Sequence, residues 1–177
     1  MNMKRFQVVC KVAAVLLKIL AIMALCMVVF GLFFILFTKS NMYFTIDVSS
    51  RSFIFFVKNH PTEAEENLAA LILSPPLLIV SAYTFWRGSS LFERLMDGGT
   101  PFSFDFAQSV KGLSLIIMMM DILTPLLYSL ILTIIMKAGH YFTFGLSSYF
   151  FIGLLLYIVA EILHYGVNLQ QLSDETV

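Results

Sequence analysis

The sequence predicts an all-α integral membrane protein with four transmembrane helices, cytoplasmic termini and a structured extracellular loop between spans 1 and 2. Of its 177 residues, 59% are hydrophobic and only 12% are charged, whereas soluble domains carry about 25% charged residues. The mean hydropathy is +0.90. Four stretches approach the roughly 20 apolar residues that a bilayer core requires. With a net charge of zero, the chain has no basic field for direct nucleic-acid binding.

The four predicted spans form a single membrane domain over residues 1–177. They cover about residues 13–38, 68–88, 110–136 and 146–166. The second span is interrupted by Ser74-Pro75-Pro76, where we expect a kink without a binding site. Leucine and phenylalanine at helical spacing after Arg87 predict that this helix continues past its apolar stretch, until the Gly98-Gly99-Thr100-Pro101 segment ends it. Ser103 can then cap the third helix.

The distribution of Lys and Arg predicts the orientation, because cytoplasmic loops carry the excess of these residues. The side that holds both termini has the larger share: Lys4, Arg5, Lys11, Lys18, Arg87, Arg94 and Lys111. The opposite side has Lys39, Arg51, Lys58 and Lys137. We therefore expect both termini in the cytoplasm.

The segment between spans 1 and 2 has the features of an ordered cap on the outer membrane face. Residues 53–57 are apolar and too short to span as a helix, so a local strand is one interpretation, as it is for residues 102–106. Thr62 followed by Glu65 three residues later forms a capping box, which predicts a helix start.

Asp121 is the strongest single signal for function. It lies about 14 Å along the third helix from its cytoplasmic end, near the middle of the bilayer. A carboxylate at that depth should face the bundle interior with a partner. Two interpretations stay open: a proton or cation site, and a structural acid bonded to Ser114, Thr124 or a serine of the second helix.

Glu161 and His164 lie three residues apart on one face of the fourth helix, the spacing used in di-iron bundles. Such a site needs further Glu and Glu-x-x-His ligands on the other helices, and the sequence lacks them. We expect no metal, no cofactor and no catalytic residue. The simpler expectation is an ion pair between Glu161 and Lys18, which lie at similar depth.

The C-terminal tail carries a small apolar stripe. Leu169 and Leu172 are three residues apart among polar residues, followed by Asp174 and Glu175. One interpretation docks this stripe on the end of the second helix, with an acid of the tail reaching Arg87 or Arg94, and creates a cytoplasmic platform for a soluble partner. The other is a frayed acidic tail.

Two segments of the chain resemble a family of small bacterial four-span membrane proteins that is known as a domain of unknown function. They are the connection Leu91-Phe92-Glu93-Arg94-Leu95 followed by Gly99-Thr100-Pro101-Phe102-Ser103, and the tail from Tyr165-Gly166 through Leu169-Gln170 to Asp174-Glu175-Thr176-Val177. The resemblance implies a four-span fold in a bacterial plasma membrane. It also implies a partnership with a very small helix-turn-helix regulator.

Three classes of function remain open. The first is a non-catalytic interaction or regulatory protein that engages a small cytoplasmic regulator. The second is a small transport or channel component that uses Asp121, and the third is an enzyme. We favour the first class. The sequence does not specify a substrate, an ion or an oligomeric state.

Overall fold

The computed structural model describes residues 3–37, 54–58, 60–96, 103–136 and 139–175. Within these ranges the backbone forms four α-helices and two short β-strands. In chain order they are α1 (Met3–Phe37), β1 (Ile54–Lys58), α2 (Glu63–Met96), α3 (Phe104–Ile135), β2 (His140–Phe144) and α4 (Ser148–Glu175).

All four helices of the described residues are long and apolar enough to cross a membrane, which agrees with the predicted number of spans. The qualifying segments are Phe6–Phe33, Glu63–Met96, Phe104–Ile135 and Ser148–Leu172. The architecture therefore fits a multi-pass membrane protein.

The helices extend beyond the predicted spans. α1 begins at Met3 and α4 runs to Glu175, because the polar residues that flank an apolar stretch can continue the same helical hydrogen-bond ladder. The predicted continuation of α2 past Arg87 is confirmed, since α2 ends at Met96. The predicted break at residues 98–101 lies outside the described residues, as do Lys39, Arg51 and Lys137.

The two prolines of α2 do not interrupt it. Pro75 and Pro76 lie inside a continuous helix from Glu63 to Met96, so the pair does not divide α2 into two helices, and the expected kink stays a prediction. Each proline lacks an N–H group and frees the carbonyl four residues earlier. The remaining hydrogen bonds of this long helix keep it continuous across the pair.

Successive helices pack side by side, α1 on α2, α2 on α3 and α3 on α4. The Ser89 hydroxyl of α2 donates to the Ala14 carbonyl of α1 at 2.9 Å. Leu91, Val110 and Ala160 join α2, α3 and α4 in one buried cluster. These contacts place the start of α1 and the end of α4 at the same end of the bundle, which we call the terminal end.

α1 contacts its neighbour through small residues. Its buried positions recur at helical spacing and are Cys10, Ala14, Ala21 and Ala24. Small side chains let two helix backbones approach closely, and within a bilayer such close packing takes the place of the hydrophobic effect. The large apolar side chains of α1 point outward, with Phe30 at 70% exposure, as a lipid-facing surface requires.

β1 and β2 form an antiparallel pair at the opposite end, which we call the sheet end. The register pairs Ile54 with Phe144 and Lys58 with His140. The predicted strand at residues 53–57 is thus confirmed within one residue. The alternative strand at residues 102–106 is wrong, because Phe104 begins α3 behind the Ser103 cap, whose Oγ accepts from the Phe106 N–H at 3.3 Å.

The edge of β2 that does not pair with β1 is hydrogen-bonded to hydroxyl groups of α3. Ser129 Oγ accepts from the Thr143 N–H at 2.9 Å, and its one hydrogen is shared between the Pro125 carbonyl of α3 at 2.7 Å and the Thr143 carbonyl at 3.2 Å. Thr133 Oγ1 accepts from the Tyr141 N–H at 3.1 Å and donates to the Tyr141 carbonyl at 2.9 Å. The distance between the two hydroxyl-bearing residues on α3 matches the distance between their two partners on β2. Four helical residues rise about 6 Å, and two strand residues rise about 6.8 Å.

A second hydrophobic core lies beneath this sheet. It joins α2, α3 and β2 through Ala69, Leu73, Tyr128, Leu132, Met136 and Tyr141. Burial raises the pKa of the Tyr141 phenol, and the negative charge of Glu66 raises it further. Tyr141 therefore stays neutral at physiological pH, as its place in an apolar core requires.

The predicted capping box at the start of α2 is confirmed. Glu65 Oε2 accepts from the Thr62 N–H at 2.8 Å, and Thr62 Oγ1 accepts from the Glu65 N–H at 3.4 Å. The helix begins at Glu63. This reciprocal pairing satisfies N–H groups that have no partner inside the helix.

Candidate functional site

The Asp121 carboxylate is held at the start of α4. The Ser147 N–H donates to Asp121 Oδ2 at 2.7 Å, and the Ser147 hydroxyl donates to Oδ1. Ser147 directly precedes α4, so the carboxylate lies at the positive end of the dipole of that helix. The prediction that Asp121 faces the interior with a partner is confirmed.

The predicted partners of Asp121 are wrong. The Ser114 hydroxyl donates to the Lys111 carbonyl at 2.7 Å, and the Thr124 hydroxyl donates to the Met120 carbonyl at 2.6 Å. Serine and threonine inside a helix often bond in this way to the preceding turn of their own helix. Ser147 lies outside the helices and is free to donate both its hydroxyl and its N–H.

A cavity of about 520 Å³ opens beside Asp121. It lies over α3, between α2 and the start of α4. Most of its wall is apolar, and among the described residues that line it Asp121 alone carries a charge. The lining residues are Leu77, Ser81, Thr84, Phe85, Ile117, Met120, Asp121, Thr124, Pro125, Gly145, Ser147, Tyr149 and Ile152.

The hydroxyl groups of α2 and α3 in this wall direct their hydrogens away from the cavity. Ser81 donates to the Leu77 carbonyl and Thr84 to the Val80 carbonyl, each at 2.8 Å. Thr124 donates to its own helix as described above. The oxygens of these three side chains therefore act as acceptors toward anything inside the cavity.

The predicted pairing of Lys18 with Glu161 is wrong. Lys18 Nζ pairs with Glu93 of α2, and Lys111 Nζ of α3 pairs with Glu161 Oε1 at 2.5 Å. The physical reason is the order of the helices, since α1 packs on α2 and α4 packs on α3. Both pairs lie near the terminal end and are about 40% exposed.

Aromatic rings border both ion pairs. The Lys18 ammonium lies 5.9 Å from the ring centroid of Trp86, and the Lys111 ammonium lies 5.1 Å from that of Tyr157. The His164 ring lies 5.0 Å from the Phe104 ring, centroid to centroid. In the part of the chain that the structure describes, no three His, Cys, Asp or Glu residues come together in a way that could hold a metal ion.

The C-terminal part of α4 does not dock as predicted. The helix continues past Gly166 as expected, but Leu169 and Leu172 are 49% and 59% exposed. The inward face of α4 is set by Gly153, Ala160 and Val167, which are buried at seven-residue intervals. At about 100° per residue, both leucines lie about 140–160° away from Val167.

The predicted polar contacts of this platform stay a prediction, because the structure describes only their basic side. Arg87 Nη1 donates to the Tyr83 hydroxyl at 3.1 Å, and Arg94 is exposed. The side chains of Asp174 and Glu175 lie outside the described residues. Arg87 is held on its own helix because Tyr83 lies one turn earlier on the same face.

No family model, no curated protein and no solved structure matches this chain in comparisons with known proteins. The resemblance to small bacterial four-span proteins, and the regulator that it implies, stay predictions. Two candidate sites are therefore defined by geometry alone. One is the Asp121 carboxylate beside an apolar cavity, and the other is the exposed pair Leu169 and Leu172 on α4.

Proposed function

We propose that the protein is a non-catalytic interaction protein of a bacterial plasma membrane that engages a small cytoplasmic regulator of the helix-turn-helix type through its terminal end. The observation that supports this proposal is the half-exposed pair Leu169 and Leu172 on the last turns of α4. With polar residues around it, this pair offers an apolar stripe to a partner.

The ion pairs support a position of this stripe outside the hydrocarbon. The charges of Lys111 and Glu161 belong at the membrane surface, where long side chains reach water. Leu169 and Leu172 follow Glu161 by eight and eleven residues, which corresponds to about 12–17 Å along a helix. At the membrane surface proposed here, leucines that far beyond the charges would face water, and burying them against a partner would be favourable.

The distribution of basic residues supports a cytoplasmic location of the terminal end. Lys11, Lys18, Arg87, Arg94 and Lys111 all belong to that half of the bundle. Since cytoplasmic flanks carry the excess of Lys and Arg, the leucine stripe would face the compartment in which a soluble regulator is made.

Co-purification tests the proposal. The tagged protein is solubilised gently from native membranes, and bound proteins are identified by mass spectrometry. We expect a small cytoplasmic regulator with the parent, and loss of most of it with Leu169→Ser/Leu172→Ser. The control Gln170→Ser/Gln171→Ser changes neighbouring exposed residues and should retain it. Equal recovery with the leucine variant, or with a chain truncated before Leu169, contradicts the proposal.

A further inference from the structure

The Asp121 carboxylate has unused capacity to accept a positive ligand. Its two oxygens offer about four lone-pair sites, and Ser147 supplies two neutral donors to them. Neutral donors leave the full negative charge in place, and the described residues that line the cavity include no cation. Within an apolar wall, a bound cation would offset the cost of that charge.

The depth of the carboxylate favours a ligand that dissolves in the membrane. Asp121 follows Lys111 by ten residues on α3, or about 15 Å, which is half the thickness of a bilayer core. The rim of the cavity includes Tyr149 and Ile152, which are 58% and 48% exposed. A ligand could therefore enter sideways from the lipid.

The remaining wall fits the two parts of an amphipathic molecule. Leu77, Ile117 and Met120 provide apolar surface for a chain. The ring of Phe85 suits a quaternary ammonium group, because the face of an aromatic ring attracts cations. The hydroxyl oxygens of Ser81 and Thr84 add acceptors, and a volume of about 520 Å³ lies within the usual range for small-molecule sites.

We propose that this cavity binds an amphipathic monovalent cation of the alkylammonium class. The ammonium group lies against the free face of the Asp121 carboxylate, and the alkyl chain lies along the apolar wall. The site is independent of the leucine stripe and of any cytoplasmic partner. It gives the membrane domain a ligand of its own.

Binding is measured by calorimetry with the full chain in phosphatidylcholine nanodiscs, with empty nanodiscs to subtract partitioning into lipid. Octyltrimethylammonium should bind saturably and more tightly than octanol or octyl sulfate, which share its chain length but not its charge. Equal affinity for octanol would show a lipid groove only and overturn the proposal.

Two variants test the site itself. Asp121→Asn keeps an oxygen that accepts from Ser147 and removes the charge, so the affinity for octyltrimethylammonium should fall about 10- to 100-fold, as expected for loss of a charged contact. Ile117→Trp fills the cavity without changing the carboxylate and should also abolish saturable binding. The control Ile158→Trp lies on α4 outside the cavity and should bind as the parent does.

Thermal melting of each variant separates loss of the site from loss of the fold. If Asp121→Asn does not fold, the comparison of Ile117→Trp with Ile158→Trp still decides. Parent-like affinity in folded Asp121→Asn or in folded Ile117→Trp would overturn the proposal.

Discussion

At the scale of single residues, hydroxyl groups that serve as donor and acceptor at once attach the sheet to the bundle. Ser129 and Thr133 each bond to both the N–H and the carbonyl of one strand residue. A buried strand edge needs all of its backbone groups satisfied. Two side chains one helical turn apart meet that requirement for Thr143 and Tyr141.

Replacing Ser129 with Ala should therefore destabilise the protein markedly. The substitution removes the α3 acceptor of the buried Thr143 N–H, and leaving a buried donor without its acceptor costs about 1–3 kcal/mol. Thermal melting in detergent measures the loss. The control is Ser90→Ala, because the Ser90 hydroxyl only bonds to the Trp86 carbonyl of its own helix at 3.2 Å. Equal melting temperatures for the two variants would contradict this role of Ser129.

Helix caps could be predicted from the sequence, because they depend on residues that are near neighbours in the chain. The Thr62–Glu65 capping box and the Ser103 cap are read from residues three positions apart, and both form. The role of Ser147 was missed, although its place directly before a helix is a signal for a polar cap. Its partner Asp121 lies 26 residues away, and no local pattern links the two.

At the scale of elements, the sequence predicts which segments are helical but not which of them are neighbours. Depth alone placed Lys18 level with Glu161, and both residues do lie near the terminal end. The partners differ because α1 packs on α2 and α4 on α3. β2 was missed for a related reason, since its strand depends on β1 and on hydroxyls of α3 rather than on its own sequence.

A charge-swap experiment tests these helix neighbours. Lys111→Glu and Glu161→Lys should each lower the melting temperature, and the double variant should recover part of the loss. The expected coupling is small, because the pair is 40% and 41% exposed and water screens it. Lys18→Glu combined with Glu161→Lys is the matched control and should show no recovery. Recovery in the control, with none in the Lys111–Glu161 double variant, would show that Glu161 pairs with Lys18 and contradict the observed pairing.

At the scale of the whole molecule, the Asp121 cavity and the two ion pairs lie at separate levels of the bundle. Asp121 and its cavity lie at one level, and the ion pairs Lys111–Glu161 and Lys18–Glu93 lie at the other. Between them α3 and α4 are in tight contact at Gly153, where an added Cβ would lie 2.6 Å from the Met118 side chain and 3.1 Å from the Ser114 carbonyl. Only a glycine permits helices to approach this closely.

Apolar packing also closes the bundle at the level of the ion pairs. Leu91, Val110 and Ala160 form a buried apolar cluster that joins α2, α3 and α4. A conduction path needs polar groups or water along its whole length. The level between the cavity and the ion pairs is closed by the tight α3–α4 contact at Gly153, which favours a site that binds over a path that conducts.

We therefore expect no proton or cation flux through the protein in this state. The full chain is reconstituted into vesicles that contain a pH-sensitive dye, and a potassium or proton gradient is imposed across the membrane. Dye response should equal that of empty vesicles, and Asp121→Asn should not change it. Gly153→Ala tests the closure from the other direction, because forcing α3 and α4 apart at this contact should lower the melting temperature. A flux with the parent that disappears in Asp121→Asn would instead identify Asp121 as part of a transport path, and the cavity as its midpoint.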